Sequence, residues 1–307
     1  MRNSLRIGIS GATGLIGSRL AGYLKATGHP LVLFVRDRSS LSDPLLEDHI
    51  VNWNAFDGPP DHRSLEGLDA FVNLIGAPIA GGRWTEKRKQ LIRDSRVIGT
   101  RHLVDAMRRC DQPPKVLING SAVGYYGSRG TQILDEKSRP GEDFLGEVCV
   151  QWEEEAGKAS DLGIRVVLLR TGLVLSAAGG ALAPMLIPFK LGLGGTLGTG
   201  EQYMSWIHIE DEIRLIDFLL SAERISGPVN ATAPNPVNNR EFSERLGNAL
   251  RRPTFMKTPA FVLRLILGEM AEALLLQGQR VVPTRALESG FQFKYENVQE
   301  ALGDLLK

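Results

Sequence analysis

Three features of the sequence predict an α/β fold with a doubly wound parallel sheet. Short, near-continuously apolar stretches alternate with helical stretches, as in a sheet covered by helices on both faces. Glycine-rich turns recur at one end of these strands, and after Leu175 the pattern changes to glycine-rich and then mostly helical sequence. We therefore predict a first domain over residues 1–175, to which about 205–232 return, and a smaller second part over 176–307.

Bulk composition limits the classes of function. The chain has 307 residues, of which 43% are hydrophobic, enough for a large domain and an appendage. A net charge of +1 provides no broad field for nucleic acid or an anionic membrane, and two cysteines form no disulfide framework. We expect a cytoplasmic protein without a signal peptide, metal or membrane span, because even the apolar stretch 261–276 contains three charged residues and resembles an amphipathic helix.

The first predicted element is a strand followed by a glycine turn and a helix. An apolar run at 5–9 precedes Gly11, Gly14 and Gly17, and a helical pattern continues through Leu24. The bare N–H groups of such a turn, with the positive end of the helix dipole behind them, bind phosphate groups. Gly11 permits the turn, Gly14 the approach of a pyrophosphate, and Gly17 close packing of helix on strand. We predict a dinucleotide site; a turn that only packs tightly is the alternative.

Charged residues at the tip of the second strand bear on which dinucleotide binds. The strand 31–35 runs into Arg36-Asp37-Arg38 and two serines. At this place an acidic side chain binds a free ribose 2′-hydroxyl, whereas an arginine accommodates a 2′-phosphate. Arg36 favours NADP as the cofactor, although Asp37 could accept hydrogen bonds from the ribose of NAD. A solvated polar loop is the alternative interpretation.

The next strand and helix bring further groups to the same edge of the sheet. A strand over 68–75 ends in Gly76, whose small size lets a cofactor approach. A long helix over 85–110 has Thr85 as its N-cap, and its Arg96 falls beside the apolar stripe, where a cation needs a partner. A cofactor phosphate or ribose would serve; a salt bridge or a snorkelling side chain is the alternative.

A hydroxyl group follows the predicted strand 115–119. Ser121 would lie just past this central strand, over the expected nicotinamide site, where it could hydrogen-bond a substrate carbonyl. A serine that only caps a turn is the alternative. The helix predicted over 144–162 carries the acidic run 153–155, which we interpret as a solvated face.

The rest of the chain carries weaker signals. Strands are predicted at 164–170 and 229–231, and the stretch 291–293 resembles a strand. The glycine-rich segment 192–200 suggests a lid or substrate loop. His208 is interpreted as a structural hydrogen-bonding residue in preference to a catalytic one.

Taken together, several motifs resemble those of the extended short-chain dehydrogenase/reductases. They are most similar to an atypical group of epimerase-family, nucleoside-diphosphate-sugar-epimerase-like proteins, over essentially the whole chain. Residues 278–283 resemble that group's own small C-terminal domain. The other motifs lie at residues 11–17, 73–76, 83–84, 95–96, 121–127, 170–175, 192–195 and 205–208.

The resemblance implies a Rossmann-type domain that binds NADP(H), with a pocket for a small-molecule substrate beside it. Ser121 falls where the superfamily keeps its catalytic serine. The cofactor contacts implied by position are Gly11, Thr13, Gly14, Leu15, Ile16, Gly17, Val35, Arg36, Leu74, Ile75, Gly76, Arg96 and Leu173.

One departure from the superfamily affects the chemistry. Its Tyr-x-x-x-Lys pair belongs on the helix that starts near Phe144, but Phe144 is followed four residues later by Val148, and Leu145 by Cys149. The usual proton relay therefore cannot operate. Tyr125 and Tyr126 are the nearest replacements, and we take Tyr126 with Ser121 as catalytic candidates; packing roles for both tyrosines are the alternative.

These residues support one leading hypothesis and two alternatives. The leading hypothesis is an NADP(H)-dependent oxidoreductase that transfers a hydride to or from a carbonyl, alcohol or nucleotide-linked substrate. One alternative is a non-catalytic NADP(H)-binding sensor or scaffold protein. The other is a sugar-nucleotide epimerase with a substitute acid/base, which the loss of the tyrosine and lysine disfavours because epimerisation needs the relay in both directions.

Overall fold

The computed structural model describes residues 4–40 and 49–307, and its elements are numbered here in chain order. The strands are β1 (Ile7–Ser10), β2 (Leu31–Val35), β3 (Ile50–Asn52), β4 (Ala70–Asn73), β5 (Val116–Ala122), β6 (Ile133–Leu134), β7 (Arg165–Thr171), β8 (Leu173–Leu175), β9 (Gly195–Leu197), β10 (Tyr203–Met204), β11 (Trp206–His208), β12 (Gly227–Ala231), β13 (Val237–Asn238), β14 (Met256–Thr258) and β15 (Arg280–Val281). The helices are α1 (Leu15–Ala26), α2 (Glu86–Met107), α3 (Phe144–Gly157), α4 (Leu182–Lys190), α5 (Ile209–Ser221), α6 (Asn239–Leu250), α7 (Ala260–Leu267), α8 (Glu269–Ala271), α9 (Thr284–Glu288) and α10 (Val298–Leu305).

A seven-stranded parallel sheet forms the centre of the protein, in the order β3-β2-β1-β4-β5-β7-β12. The predicted α/β fold with a doubly wound sheet is confirmed. The chain reverses its direction across the sheet between β1 and β4, so their carboxyl ends flank a crevice where such folds bind ligands.

Helices bury both faces of this sheet. On one face, Leu20 of α1 and Leu219 of α5 pack in a fully buried cluster with the side chains of β1. On the other face, Leu103 of α2 and Ala156 of α3 pack against Phe71 of β4. Burial on both sides explains why these strands lack polar alternation.

Element boundaries differ from the predicted ones at the site-bearing end of the sheet. Strand β4 is shorter than the predicted 68–75, whereas β5 continues past residue 119. The pairing of Ser121 with Arg170 of β7 keeps Ser121 inside β5 and not beyond it. The helix expected over 144–162 is α-helical to Gly157 and ends in a 3₁₀ turn, Lys158–Leu162.

The second part of the chain departs further from expectation. The predicted strand at 291–293 is wrong, because these residues form no ladder and Phe291 and Phe293 instead pack as aromatic anchors beside α5. The amphipathic helix expected over 261–276 is broken at Gly268, whose φ is +63°. In the described ranges, no helix combines the length and apolarity that crossing a bilayer requires. The domain boundary at residue 175 stays a prediction.

Candidate functional site

The glycine turn after β1 has the geometry of an anion site. Gly11 has a φ of +72°, and a Cβ there would lie 2.6 Å from the Leu74 carbonyl oxygen. A Cβ at Gly17 would lie 2.2 Å from the Gly11 carbonyl oxygen, so both positions require glycine. Helix α1 has Gly14 as its N-cap, without a side-chain hydrogen bond, and its first turn contains no acidic residue. Its first N–H groups therefore remain available to a phosphate.

The other residues expected to contact a cofactor meet around the same crevice. Register pairs Ser10, at the end of β1, with Phe34 of β2 and Asn73 of β4, which aligns the carboxyl ends of these strands. Val35 ends β2 and is followed by Arg36, while Leu74, Ile75 and Gly76 follow β4 directly. Thr13 is exposed in the glycine turn, Leu15 and Ile16 begin α1, and Leu173 begins β8.

At the tip of β2, Asp37 is engaged by its own turn. Its carboxylate accepts hydrogen bonds from the Ser39 backbone N–H at 2.9 Å and from the Ser39 hydroxyl at 2.8 Å. These bonds lower the pKa of Asp37. Arg36 is exposed, and no carboxylate among residues 4–40 and 49–307 forms an ion pair with it. Among the described residues, the Arg36 guanidinium at this strand tip therefore has no ion-pair partner.

A buried polar ladder beneath the crevice ties the strand ends together, and sequence reasoning missed it. The Ser10 hydroxyl donates to Asn73 Oδ1 at 2.6 Å, and Asn73 Nδ2 donates to Asn119 Oδ1 at 2.6 Å and to Thr100 Oγ1 at 3.0 Å. Trp152 Nε1 of α3 donates to the same threonine oxygen at 2.9 Å. Satisfied buried networks of this kind hold strand ends in one arrangement.

Ser121 is bonded to a buried ion pair. Its hydroxyl donates to Glu153 Oε1 at 2.6 Å. Arg170 holds both oxygens of that carboxylate, with Nε and Nη2 each at 2.8 Å. Both side chains are buried, and the two parallel contacts fix the orientation of the Glu153 carboxyl group.

In the acidic run on α3 only Glu154 is exposed, so the predicted solvated face is wrong for Glu153 and Glu155. Glu153 is 8% exposed and Glu155 is 6% exposed. Glu155 pairs with Arg101 and Lys158, both at 2.7 Å, which lowers the pKa of this carboxyl against the opposing effect of burial. A helical-wheel projection of α3 would have predicted the burial of Glu153, because Glu153 lies on the same face as Cys149 and Ala156.

Tyr126 lies in the same buried network. Its hydroxyl donates to Asn230 Oδ1 at 2.6 Å and accepts from Arg170 Nη1 at 3.0 Å, and the residue has no exposed surface. Burial raises the pKa of Tyr126 to about 12. A catalytic role for Tyr126 stays a prediction, and a fully engaged, buried phenol does not favour it. Tyr125 is partly exposed and covers Arg170, whose Cζ lies 3.4 Å from its ring centroid.

On α3, Leu145 and Cys149 are one of the two pairs that stand where the superfamily's tyrosine and lysine belong. The Cys149 thiol is buried and lies 3.8 Å from the Ala122 carbonyl oxygen. Burial raises the pKa of Cys149 to about 12, with neighbouring Arg96 and Ser121 opposing the shift. The thiol is therefore neutral and cannot supply the missing positive charge.

Arg96 of α2 brings a cation to this place from the neighbouring helix. Its Nη1 donates to the Ala77 and Ile92 carbonyl oxygens at 3.1 and 3.0 Å, and its Cζ lies 5.3 Å from the Trp152 ring. A Cβ on Gly76 would lie 3.0 Å from the guanidinium. Within the described ranges no carboxylate pairs with Arg96, and burial lowers its pKa. The alternative in which Arg96 forms a salt bridge is therefore not observed among the described residues.

His208 has the structural role that the sequence favoured. It is the N-cap of α5, where its Nδ1 accepts from the Glu210 N–H at 3.1 Å. Its ring lies 3.9 Å from that of Tyr295, and its Nε2 lies 3.6 Å from Asp304.

Comparisons with known proteins agree with this architecture. Residues 7–231 match the NAD dependent epimerase/dehydratase family, and residues 258–305 match a domain of unknown function, DUF1731. "Epimerase family protein Mb2239" of Mycobacterium bovis is 44% identical over 297 residues, covering 97% of this chain and 96% of that protein. The Arabidopsis thaliana "Epimerase family protein SDR39U1 homolog, chloroplastic" is 39% identical over 99% of this chain and 88% of its own. The crystal structure of human SDR39U1 with NADPH has a TM-score of 0.87 at 34% identity, covering 98% of this chain and 99% of that one.

Proposed function

The chain belongs to the NAD dependent epimerase/dehydratase family, and from this premise we propose that it is an NADP(H)-dependent oxidoreductase acting on a carbonyl or alcohol. The observation that carries the proposal is the uncapped N-terminus of α1 beside Gly11 and Gly17. Arg36 at the tip of β2 supports NADP over NAD. The NADPH in the human relative's structure supports the same cofactor. When bound, the nicotinamide supplies or accepts the hydride.

The residues around the crevice fit this cofactor in three groups. The glycine turn and the start of α1 would hold the pyrophosphate, through Gly11, Thr13, Gly14, Leu15, Ile16 and Gly17. The tip of β2 would hold the 2′-phosphate, through Val35 and Arg36. The loop after β4, together with α2 and β8, would hold the remaining ribose and the nicotinamide, through Leu74, Ile75, Gly76, Arg96 and Leu173.

Replacing Arg36 with alanine should separate the two nicotinamide cofactors. A charge-assisted hydrogen bond contributes about 1.5–3 kcal/mol, so NADPH affinity should fall by about 10- to 100-fold. NADH presents no phosphate, and its affinity should change less than about twofold. Calorimetric titration of both cofactors checks this, with Arg224→Ala, another exposed arginine, as control. Equal losses for NADPH and NADH would remove the phosphate role of Arg36.

In the proposed reaction Ser121 is first an acceptor. Its hydroxyl donates to Glu153 Oε1, which Arg170 also contacts, so the lone pairs of Ser121 Oγ are left for the substrate. A substrate hydroxyl can donate to this oxygen. Its proton can then pass to Ser121 Oγ as the Ser121 proton passes to Glu153 Oε1. Carbonyl reduction would run the same transfers in reverse.

Ser121→Ala should therefore abolish turnover without loss of cofactor. Removing a positioned proton-transfer group costs about 10²- to 10⁴-fold in rate. The affinity for NADPH should stay within about twofold, because Ser121 does not belong to the glycine turn. The measurement is NADPH consumption over a panel of carbonyl compounds, with Ser160→Ala, at an exposed serine, as control. A variant that turns over at the wild-type rate would refute the relay, and one that no longer binds NADPH would make Ser121 structural.

A second candidate is a non-catalytic NADP(H)-binding sensor. It is favoured by one observation, the apolar Leu145 and the neutral, buried Cys149 where the superfamily has its acid/base pair. Bound NADPH that no carbonyl compound oxidises, even in a single turnover, would support the sensor over the enzyme.

A further inference from the structure

The loop before α2 and the N-terminal half of α2 carry five cations that the cofactor assignment leaves unused: Arg83, Lys87, Arg88, Lys89 and Arg93. Lys89 and Arg93 lie over the ring of Phe144, which meets Trp84 edge to face, and Arg83 precedes Trp84 in the chain. We call Arg83, Lys89 and Arg93 the α2 cation cluster. We propose that this cluster binds a carboxylate or phosphate group of the substrate. The proposal rests on the oxidoreductase function above and specifies the class of substrate.

Arg93 is the central group of the cluster. Its Cζ lies 5.8 Å from the centroid of the Phe144 ring, and its Nε is buried without a hydrogen-bond partner. Across the described parts of the chain no carboxylate forms an ion pair with Arg93. A buried charged donor without a partner costs free energy, and a bound anion would recover it.

The other two cations differ in how far they are already neutralised. Lys89 Nζ lies 2.6 Å from Glu269 Oε2 and 3.9 Å from Glu86 Oε1, and 5.4 Å from the Phe144 ring. Arg83 is exposed, and a Cβ on Gly268 would lie 3.5 Å from its Nε. No ion pair to Arg83 is formed by the residues that the structure describes. The cluster thus keeps a positive surplus after Glu269 is counted.

The aromatic pair of Trp84 and Phe144 forms an apolar surface beside the positive charges of the α2 cation cluster. Trp84 and Phe144 meet edge to face with centroids 5.3 Å apart, and Trp84 Nε1 already donates to the Ile79 carbonyl oxygen at 2.9 Å. An apolar wall lowers the local dielectric and strengthens the attraction between a guanidinium and an anion.

The cluster is close to Ser121. Arg93 and Arg96 are three residues apart on one face of α2, which is about 4.5 Å along the helix axis. Arg96 Cζ lies 5.3 Å from the Trp152 ring, and a Cβ on Gly120, the residue before Ser121, would lie 3.1 Å from that ring. Phe144, against which Arg93 packs, begins the helix that carries Glu153. In the proposal, an anion at Arg93 therefore belongs to the same substrate that reaches Ser121.

Anion titrations of the NADPH-loaded protein test the proposal. Sodium phosphate and sodium acetate are the probes, added at constant ionic strength against chloride, and Trp84 fluorescence is the readout. A Trp84→Phe variant identifies the part of the signal that comes from this residue. Wild type should give a saturable change with at least one probe. Arg93→Gln should weaken the apparent affinity by about tenfold or more, since it loses a charge-assisted contact.

Two further variants keep the test specific. Lys87→Gln makes the same charge change on the exposed face of α2 and should leave the affinity unchanged. Arg93→Lys should keep part of the affinity, and its thermal unfolding reports whether substitution at this position disturbs the fold.

The outcomes separate the anion site from the proposed function. Saturation by phosphate identifies a phosphate-bearing substrate, and saturation by acetate a carboxylate-bearing one. No saturable change in wild type, or equal affinity in wild type and Arg93→Gln, would overturn the proposal. If wild type fails to bind NADPH, the oxidoreductase function fails, and the same titration without NADPH still decides on the α2 cation cluster.

Discussion

Replacing Arg170 with methionine should lower the free energy of unfolding by about 3–5 kcal/mol, the usual cost of leaving one partner of a buried ion pair alone. Arg170 holds both oxygens of Glu153 and also donates to the Tyr126 hydroxyl at 3.0 Å. Its loss leaves the Glu153 carboxylate buried without a cation. Urea unfolding of wild type and variant at neutral pH measures the difference.

A paired substitution distinguishes the lost ion pair from lost packing. Arg170→Met combined with Glu153→Leu removes both charges and should recover most of the stability, because an apolar pair needs no solvation. Arg108→Met is the control, since Arg108 is also an ion-paired arginine, but its side chain and that of its partner Asp105 are both exposed to solvent. If the free energy of unfolding of Arg170→Met lies within about 1 kcal/mol of the wild-type value, the ion pair does not stabilise the site.

The second large effect concerns a carboxyl group on α5. Glu212 has no exposed surface, accepts from Thr171 Oγ1 at 2.9 Å, and has a buried Oε2 without a partner. Burial raises the pKa of Glu212 to about 8, whereas an unfolded glutamate titrates near about 4.3. Between these values the folded state holds a proton that the unfolded state has released. Stability should therefore fall by about 1.4 kcal/mol per pH unit as the pH rises through this window.

Glu212→Gln removes that dependence. The glutamine can still accept from Thr171, but its amide adds donors where Oε2 has no partner, which costs about 1–3 kcal/mol at low pH. The stability difference between variant and wild type should thus move in favour of the variant by about 1.4 kcal/mol per unit from pH 5 to 8. Urea unfolding across this range measures it, with the exposed Glu244→Gln as control. Parallel pH profiles for Glu212→Gln and wild type would contradict a protonated Glu212.

The parts of the fold that could be predicted are those with local causes. The glycine turn, the strand 31–35 and the Thr85 cap of α2 follow from backbone conformation, apolar runs and capping within a few residues. The predicted ends of strands were wrong where contacts with parts of the chain distant in sequence determine them. Strand β5 extends through Ser121 because it pairs with β7. Residues 291–293 form no strand, and their aromatic side chains pack in the core instead.

The glycine turn was accessible from the sequence, whereas the buried network around Ser121 was not. Gly11, Gly14 and Gly17 lie together in the chain, so their spacing alone indicates the turn. Glu153 and Arg170 are far apart in sequence and meet only because β7 pairs with β5 and α3 packs over both. A run of acidic residues gives no hint of such a partner, and this is why it was taken for a solvated face.

The sequence by itself therefore determined the doubly wound sheet, the glycine turn before α1 and the loss of the superfamily's acid/base pair, because each depends on residues that are neighbours in the chain. Only the tertiary structure decided what stands in that pair's place. It directs the Ser121 proton at Glu153, places Arg96 of α2 over Trp152 of α3, and leaves the buried Nε of Arg93 without a hydrogen-bond partner among the residues that the structure describes. Burial and long-range packing fix those partners, and neither is a property of any short stretch of chain.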